Sequence, residues 1–68
     1  MDALVKLKCS DAVVDVPGVS VVRADDNGNI SEMTDFKTMQ FQDGFYYSFI
    51  GQSILHVYGS QIEYVLFR

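Results

Sequence analysis

The chain predicts a mainly β fold: a small antiparallel sheet, bent into a barrel or sandwich, built around a C-terminal four-stranded meander. Three observations carry this expectation. Asp43-Gly44, Gly51-Gln52 and Gly59-Ser60 are turn-forming pairs that recur about every eight residues. The segments between them are rich in Phe, Tyr, Ile and Val, the residues that suit a pleated, half-buried surface. Finally, 68 residues of which 49% are hydrophobic are enough for one small β domain spanning 1–68 and too few for two.

Residues 3–9 alternate, with Val5, Leu7 and Cys9 on one side and Leu4, Lys6 and Lys8 on the other. This reads as a strand, with Cys9 as a small core hydrophobe. "AVVDVPGVSVVRA" reads as two short strands joined at Pro17-Gly18, a type II turn pair. "DDNGN" follows as a loop. Ile30, Met33 and Phe36 share one helical face, and Asn29 with Glu32 has the spacing of a capping box. Residues 30–38 therefore fit a short helical turn or a loop leading into a strand at 36.

The meander comprises strands at 36–42, 45–50, 53–58 and 61–67. Asp-Gly suits a type I′ turn and a leading glycine a type II′ turn, and two-residue loops of either kind fix the register. Phe41 then opposes Tyr46, Ile50 opposes Ser53, Leu55 opposes Ser48 and Tyr64, and Val57 opposes Tyr46 and Ile62. These residues form the expected core face. The other face carries Phe45, Tyr47, Phe49, His56, Tyr58 and Glu63 among glutamines, with Tyr47, His56 and Glu63 in one cross-strand row. Such an amphipathic, tyrosine-bearing surface suits protein contacts, and homodimerisation through it is the economical expectation.

Charge is one-sided. Residues 1–35 hold seven carboxylates against Lys6, Lys8 and Arg23, while residues 36–68 balance, so the first half carries the whole net charge of −4. An acidic field repels nucleic acid and attracts a basic partner. Asp11, Asp15, Asp25, Asp26, Glu32 and Asp35 are the candidate partner-binding surface. Spaced like phosphates, they would imitate a nucleic-acid strand to a protein that grips DNA or RNA.

Several chemistries are set aside. "DDNGNIS" has part of an EF-hand loop's pattern, but the first and last ligand positions fall on Arg23 and Thr34. One Cys and one His are too few for the usual zinc sites and leave no disulfide. No metal or cofactor is expected. A carboxylate beside a histidine, Glu63 and His56, is an acid–base arrangement, but no nucleophile adjoins it, so a cross-strand polar pair is expected and no catalytic residue. No stretch is apolar enough to span a membrane, and "MDALVKLKCSD" lacks a signal peptide's apolar run, so the expected setting is cytoplasmic.

"GFYYSFI" with "ILHVYGS" resembles the aromatic strands of cold-shock domains. In that family the aromatics lie near the N-terminus beside lysines; here they lie in the last third, and only Lys37 is close. Stacking platforms without cations do not hold a single strand. In size and acidity the chain resembles the small proteins with which phages block host enzymes. The expectation is a non-enzymatic protein that binds and inhibits or regulates a protein partner, such as a DNA- or RNA-handling enzyme. The alternative is an assembly subunit of a virion or multi-protein complex.

Overall fold

In the computed structural model, which describes all 68 residues, seven strands run in chain order: β1 (Ala3–Leu7), β2 (Val13–Val16), β3 (Val21–Asp26), β4 (Asn29–Met33), β5 (Tyr46–Ile50), β6 (Ile54–Tyr58) and β7 (Ile62–Phe67). They form two antiparallel sheets, β2-β1-β7 and β4-β3-β5-β6. Ala3, Val5 and Val16 of the first sheet share one core with Val22, Ala24, Tyr47, Phe49 and Val57 of the second. The arrangement is a two-layer sandwich, not a closed barrel. No helix of the protein is long and apolar enough to cross a membrane.

The mainly β class and the four-stranded antiparallel sheet are therefore present, but the sheet has a different membership from the expected meander. Strands 45–50 and 53–58 are neighbours as expected. The sheet's other two strands come from residues 21–33, because Asn27-Gly28 closes a hairpin. Both residues take positive φ, 51° and 93°, as a type I′ turn requires. The helical turn considered at 30–38 is instead strand β4 followed by a turn, in which Asp35 accepts hydrogen bonds from the Lys37 N–H and the Thr38 hydroxyl.

Residues 36–42 form no strand. Phe36 is out of phase with Met39 and Phe41, and the three pack as an irregular strap against the core. Phe41 meets Tyr47 edge-on at 4.9 Å and Phe49 at 5.7 Å, while Phe36 stacks on Phe67 at 4.7 Å. The last strand leaves its expected neighbour altogether: a 3-10 turn at Gly59–Gln61 carries the chain to the other sheet, where β7 pairs with β1.

Two one-residue shifts decide which side chains face inward. The β5–β6 loop is Gly51-Gln52-Ser53, three residues, so Ile50 pairs with Ile54 instead of Ser53. Since side chains alternate with period two, that single extra residue turns β5 over. Tyr47 and Phe49 are fully buried, and Tyr46 points outward. In β7 a bulge leaves Glu63 without a partner opposite Lys6 and Leu7, so Val65 and Phe67 turn inward while Tyr64 and Leu66 are exposed.

The glycines behind the expected turns serve close approach. Neither Gly51 nor Gly59 has positive φ. A Cβ on Gly51 would lie 2.5 Å from the Pro17 carbonyl oxygen, and one on Gly59 would overlap the carbonyl of Gln42. Gly44, in contrast, has open space on its Cβ side. Gly59→Ala should therefore lower the unfolding free energy by at least ~2 kcal/mol, whereas Gly44→Ala should change it by less than ~0.5 kcal/mol. Urea denaturation of the two variants checks this contrast.

Candidate binding face

The outward surface of the four-stranded sheet can be built row by row from its register. Ile30, Asp25, Tyr46 and Tyr58 lie side by side across β4, β3, β5 and β6. The next row is Glu32, Arg23, Ser48 and His56, and Val21, Ile50 and Ile54 form a third. Each of these residues alternates along its strand with an inward neighbour, which is why they share one face.

The middle row is locally paired. Arg23 donates to Glu32 at 2.9 Å, and Ser48 Oγ lies 2.7 Å from His56 Nδ1. Ser48 is itself buried, so this bond satisfies its hydroxyl. Aromatics cover the row beside it. The Tyr46 ring lies nearly parallel to the His56 ring at 5.9 Å and meets Tyr58 at 61° and 4.7 Å. Cross-strand aromatic pairs of this kind hold a surface in shape without burying it.

Beside these, the face exposes large apolar groups at its edges, while Val21 and Ile50 between them are half-buried. Ile30 is 60% exposed, Ile54 57% and Tyr58 60%. The accessible area of the whole chain, 4330 Å², matches the ~4,300 Å² expected of a compact monomer of this mass. The chain is thus well closed in total, and the apolar exposure is concentrated on particular faces. At one end of this face, Asp25, Asn27, Gly28, Gly44, Tyr46 and Tyr58 line a notch of about 240 Å³. A second depression, about 280 Å³, lies elsewhere among Met1, Phe36, Lys37 and Phe67.

The expected aromatic face of Phe45, Tyr47, Phe49, His56, Tyr58 and Glu63 is not a face. Tyr47 and Phe49 are core, Phe45 packs against the core, and only His56 and Tyr58 point outward from the four-stranded sheet. The Tyr47 hydroxyl, deep in the sandwich, accepts a hydrogen bond from the Gln42 N–H at 2.7 Å. Glu63 belongs to the other sheet, where it bonds Lys6 at 2.9 Å, so the row Tyr47–His56–Glu63 does not form. The Lys6 ammonium also donates to the carbonyls of Leu7 and Ser10, which fixes it over the bulge. Cys9, expected in the core, is exposed just beyond β1.

The six candidate carboxylates divide between surfaces. Asp11 lies in the β1–β2 connection and Asp15 on the outward side of β2, opposite Leu4. Asp25 and Glu32 are on the outward face of the other sheet, and Asp26 flanks the Asn27-Gly28 turn. Three already serve local structure: Asp25 accepts from the Gly28 N–H at 2.8 Å, Glu32 pairs with Arg23, and Asp35 ties the turn after β4. They do not make one patch. The Asp25–Gly28 bond also explains the calcium-like sequence there, since it closes a hairpin turn.

Sequence reasoning placed Ile54 on one face with His56 and Tyr58 but missed Tyr46, Ser48, Ile30 and Arg23 as members of it. The signal was present in Asn27-Gly28, the strongest short hairpin pair, which places β3 and β4 in register. No protein family, curated protein or solved structure matches this chain.

The register makes a direct stability forecast. Phe49→Ala should cost ~3–5 kcal/mol, as for a buried aromatic, and Tyr58→Ala no more than ~1.5 kcal/mol, the loss of one surface aromatic contact. Chemical denaturation would read both. Similar losses at the two positions would mean that they share a face after all.

Proposed function

We propose that this is a non-enzymatic interaction protein that binds a protein partner, and inhibits or regulates it, through the outward face of β4-β3-β5-β6. The observation that carries this reading is one face that exposes a pre-shaped aromatic pair, Tyr46 and Tyr58, with Ile30 and Ile54 exposed on its two edge strands. Protein contacts favour such surfaces, because tyrosines supply large contact area with few rotatable bonds, and the apolar residues beside them exclude water. The Arg23–Glu32 pair and the His56 ring give the face a polar grain that sets orientation.

Charge adds steering. The chain carries a net −4, and Asp25 stands at the end of the face, so the partner surface it suits is basic. A DNA- or RNA-handling enzyme offers a surface of that kind. Mimicry by all six carboxylates at once has less support, since Asp15 belongs to the opposite layer.

A second reading rests on that opposite layer. The outward side of β2-β1-β7 exposes Val13, Tyr64 and Leu66, so the sandwich has apolar residues on both sides. An assembly subunit, or a self-associating chain, would use both.

Paired charge insertions separate the readings. With a partner identified by capture, Ile30→Asp with Ile54→Asp should weaken binding at least ~10-fold, and Val13→Asp with Leu66→Asp should change it less than ~2-fold. Binding should also fall as salt rises. Loss with both pairs and indifference to salt would favour the assembly subunit, and full retention with the first pair would overturn the proposed face.

A further inference from the structure

We infer that the notch at the end of this face receives a cationic side chain, an arginine, from the protein partner; the inference deepens the reading above and rests on it. The notch joins three features that recognise an organic cation. Two tyrosine rings, Tyr46 and Tyr58, meet at 61° and both line the notch. A carboxylate, Asp25, sits next to Tyr46 in the same cross-strand row. The volume, about 240 Å³, is small for a typical small-molecule site and open to solvent, as suits one side chain entering from a partner.

Asp25 is available for this role. One of its oxygens, Oδ1, accepts the Gly28 N–H and so fixes the carboxylate at the lip of the hairpin. Its other oxygen has no hydrogen-bond donor from the chain, and no basic residue pairs with it: the two ion pairs of the protein are Lys6–Glu63 and Arg23–Glu32. Arg23, two residues away on the same side of β3, is held by Glu32. A half-buried carboxylate beside two aromatic rings, with Arg23 of the same strand engaged by Glu32, is complementary to an incoming positive charge.

Glycines keep the entrance clear. A side chain at Gly28 or Gly44 would project into unoccupied space, and both residues line the notch. Arginine fits better than lysine because its planar guanidinium stacks on aromatic rings while its N–H groups reach a carboxylate, and it sheds water more readily than an ammonium. The Asn27 side chain at the lip can accept a further N–H.

The test titrates the ¹⁵N-labelled chain with N-acetyl-arginine amide and, as the uncharged isostere, N-acetyl-citrulline amide. Arginine should produce saturable amide shifts at Asn27, Gly28 and Gly44, and citrulline should not. Asp25→Asn keeps an acceptor for the Gly28 N–H and so keeps the hairpin; it should weaken arginine binding at least ~5-fold, as should Tyr58→Leu. Equal shifts with citrulline, undiminished binding by Asp25→Asn, or no saturable shift would overturn the inference. If the notch fails while Ile30→Asp with Ile54→Asp still abolishes partner binding, the face stands without it. If the notch binds arginine while those substitutions have no effect, the face reading fails alone.

Discussion

One backbone carbonyl governs much of this structure. The oxygen of Pro17 accepts the Gln52 N–H at 2.9 Å and occupies the space that any side chain at Gly51 would need. Pro17 lies in the crossover between the two sheets, and Gly18 turns it with φ of 65°. The Gly18 N–H is held in turn by the Asp2 carboxylate, and the Ser20 N–H by the Ile50 carbonyl. The β5–β6 loop is thus clamped to the link between layers, with Ile54 opposite Ile50. From that register follow the burial of Tyr47 and Phe49, the exposure of Tyr46, and the rows that make up the binding face. A distant, non-local contact sets which side of the strand meets water.

That is also why the sequence reveals some of the fold and conceals the rest. Strand composition, the turn at Pro17-Gly18 and the adjacency of 45–50 and 53–58 were legible, because each depends on local propensity and turn chemistry. The reading failed where a glycine had two explanations. Gly51 and Gly59 look like hairpin glycines, yet each lies against a carbonyl from a remote segment, and neither uses the positive φ that a hairpin would require. The glycine that does use it, Gly28, reads in the sequence as part of a loop. Alternation then carried each one-residue error across a whole strand: the extra residue at Ser53 reversed β5, and the bulge at Glu63 reversed the end of β7. His56 and Tyr58 were placed outward because β6 itself was not shifted.

The consequence for function is a change of face. The expected row Tyr47–His56–Glu63 is divided among the core, one surface and the opposite sheet, and with it goes the carboxylate that would have oriented the histidine. His56 instead takes its partner from the strand beside it, Ser48, and its stacking from Tyr46. The acidic residues are similarly redistributed, several of them consumed by turns and a surface ion pair worth little in water. What remains in one place is apolar and aromatic surface flanking the Arg23–Glu32 pair, with Asp25 the one carboxylate of that face outside an ion pair. We therefore assign the contact energy to that surface and leave the net charge the part of steering.

The register of β5 against β6 is the claim on which all of this depends, and cross-strand nuclear Overhauser effects measure it without reference to any partner. The account predicts contacts that pair Tyr47 with Val57 and Phe49 with Leu55, alternating with Tyr46 opposite Tyr58. Contacts that pair Tyr46 with Val57 and Ser48 with Leu55 would contradict it. They would return Tyr47 and Phe49 to the surface and dissolve the face described here.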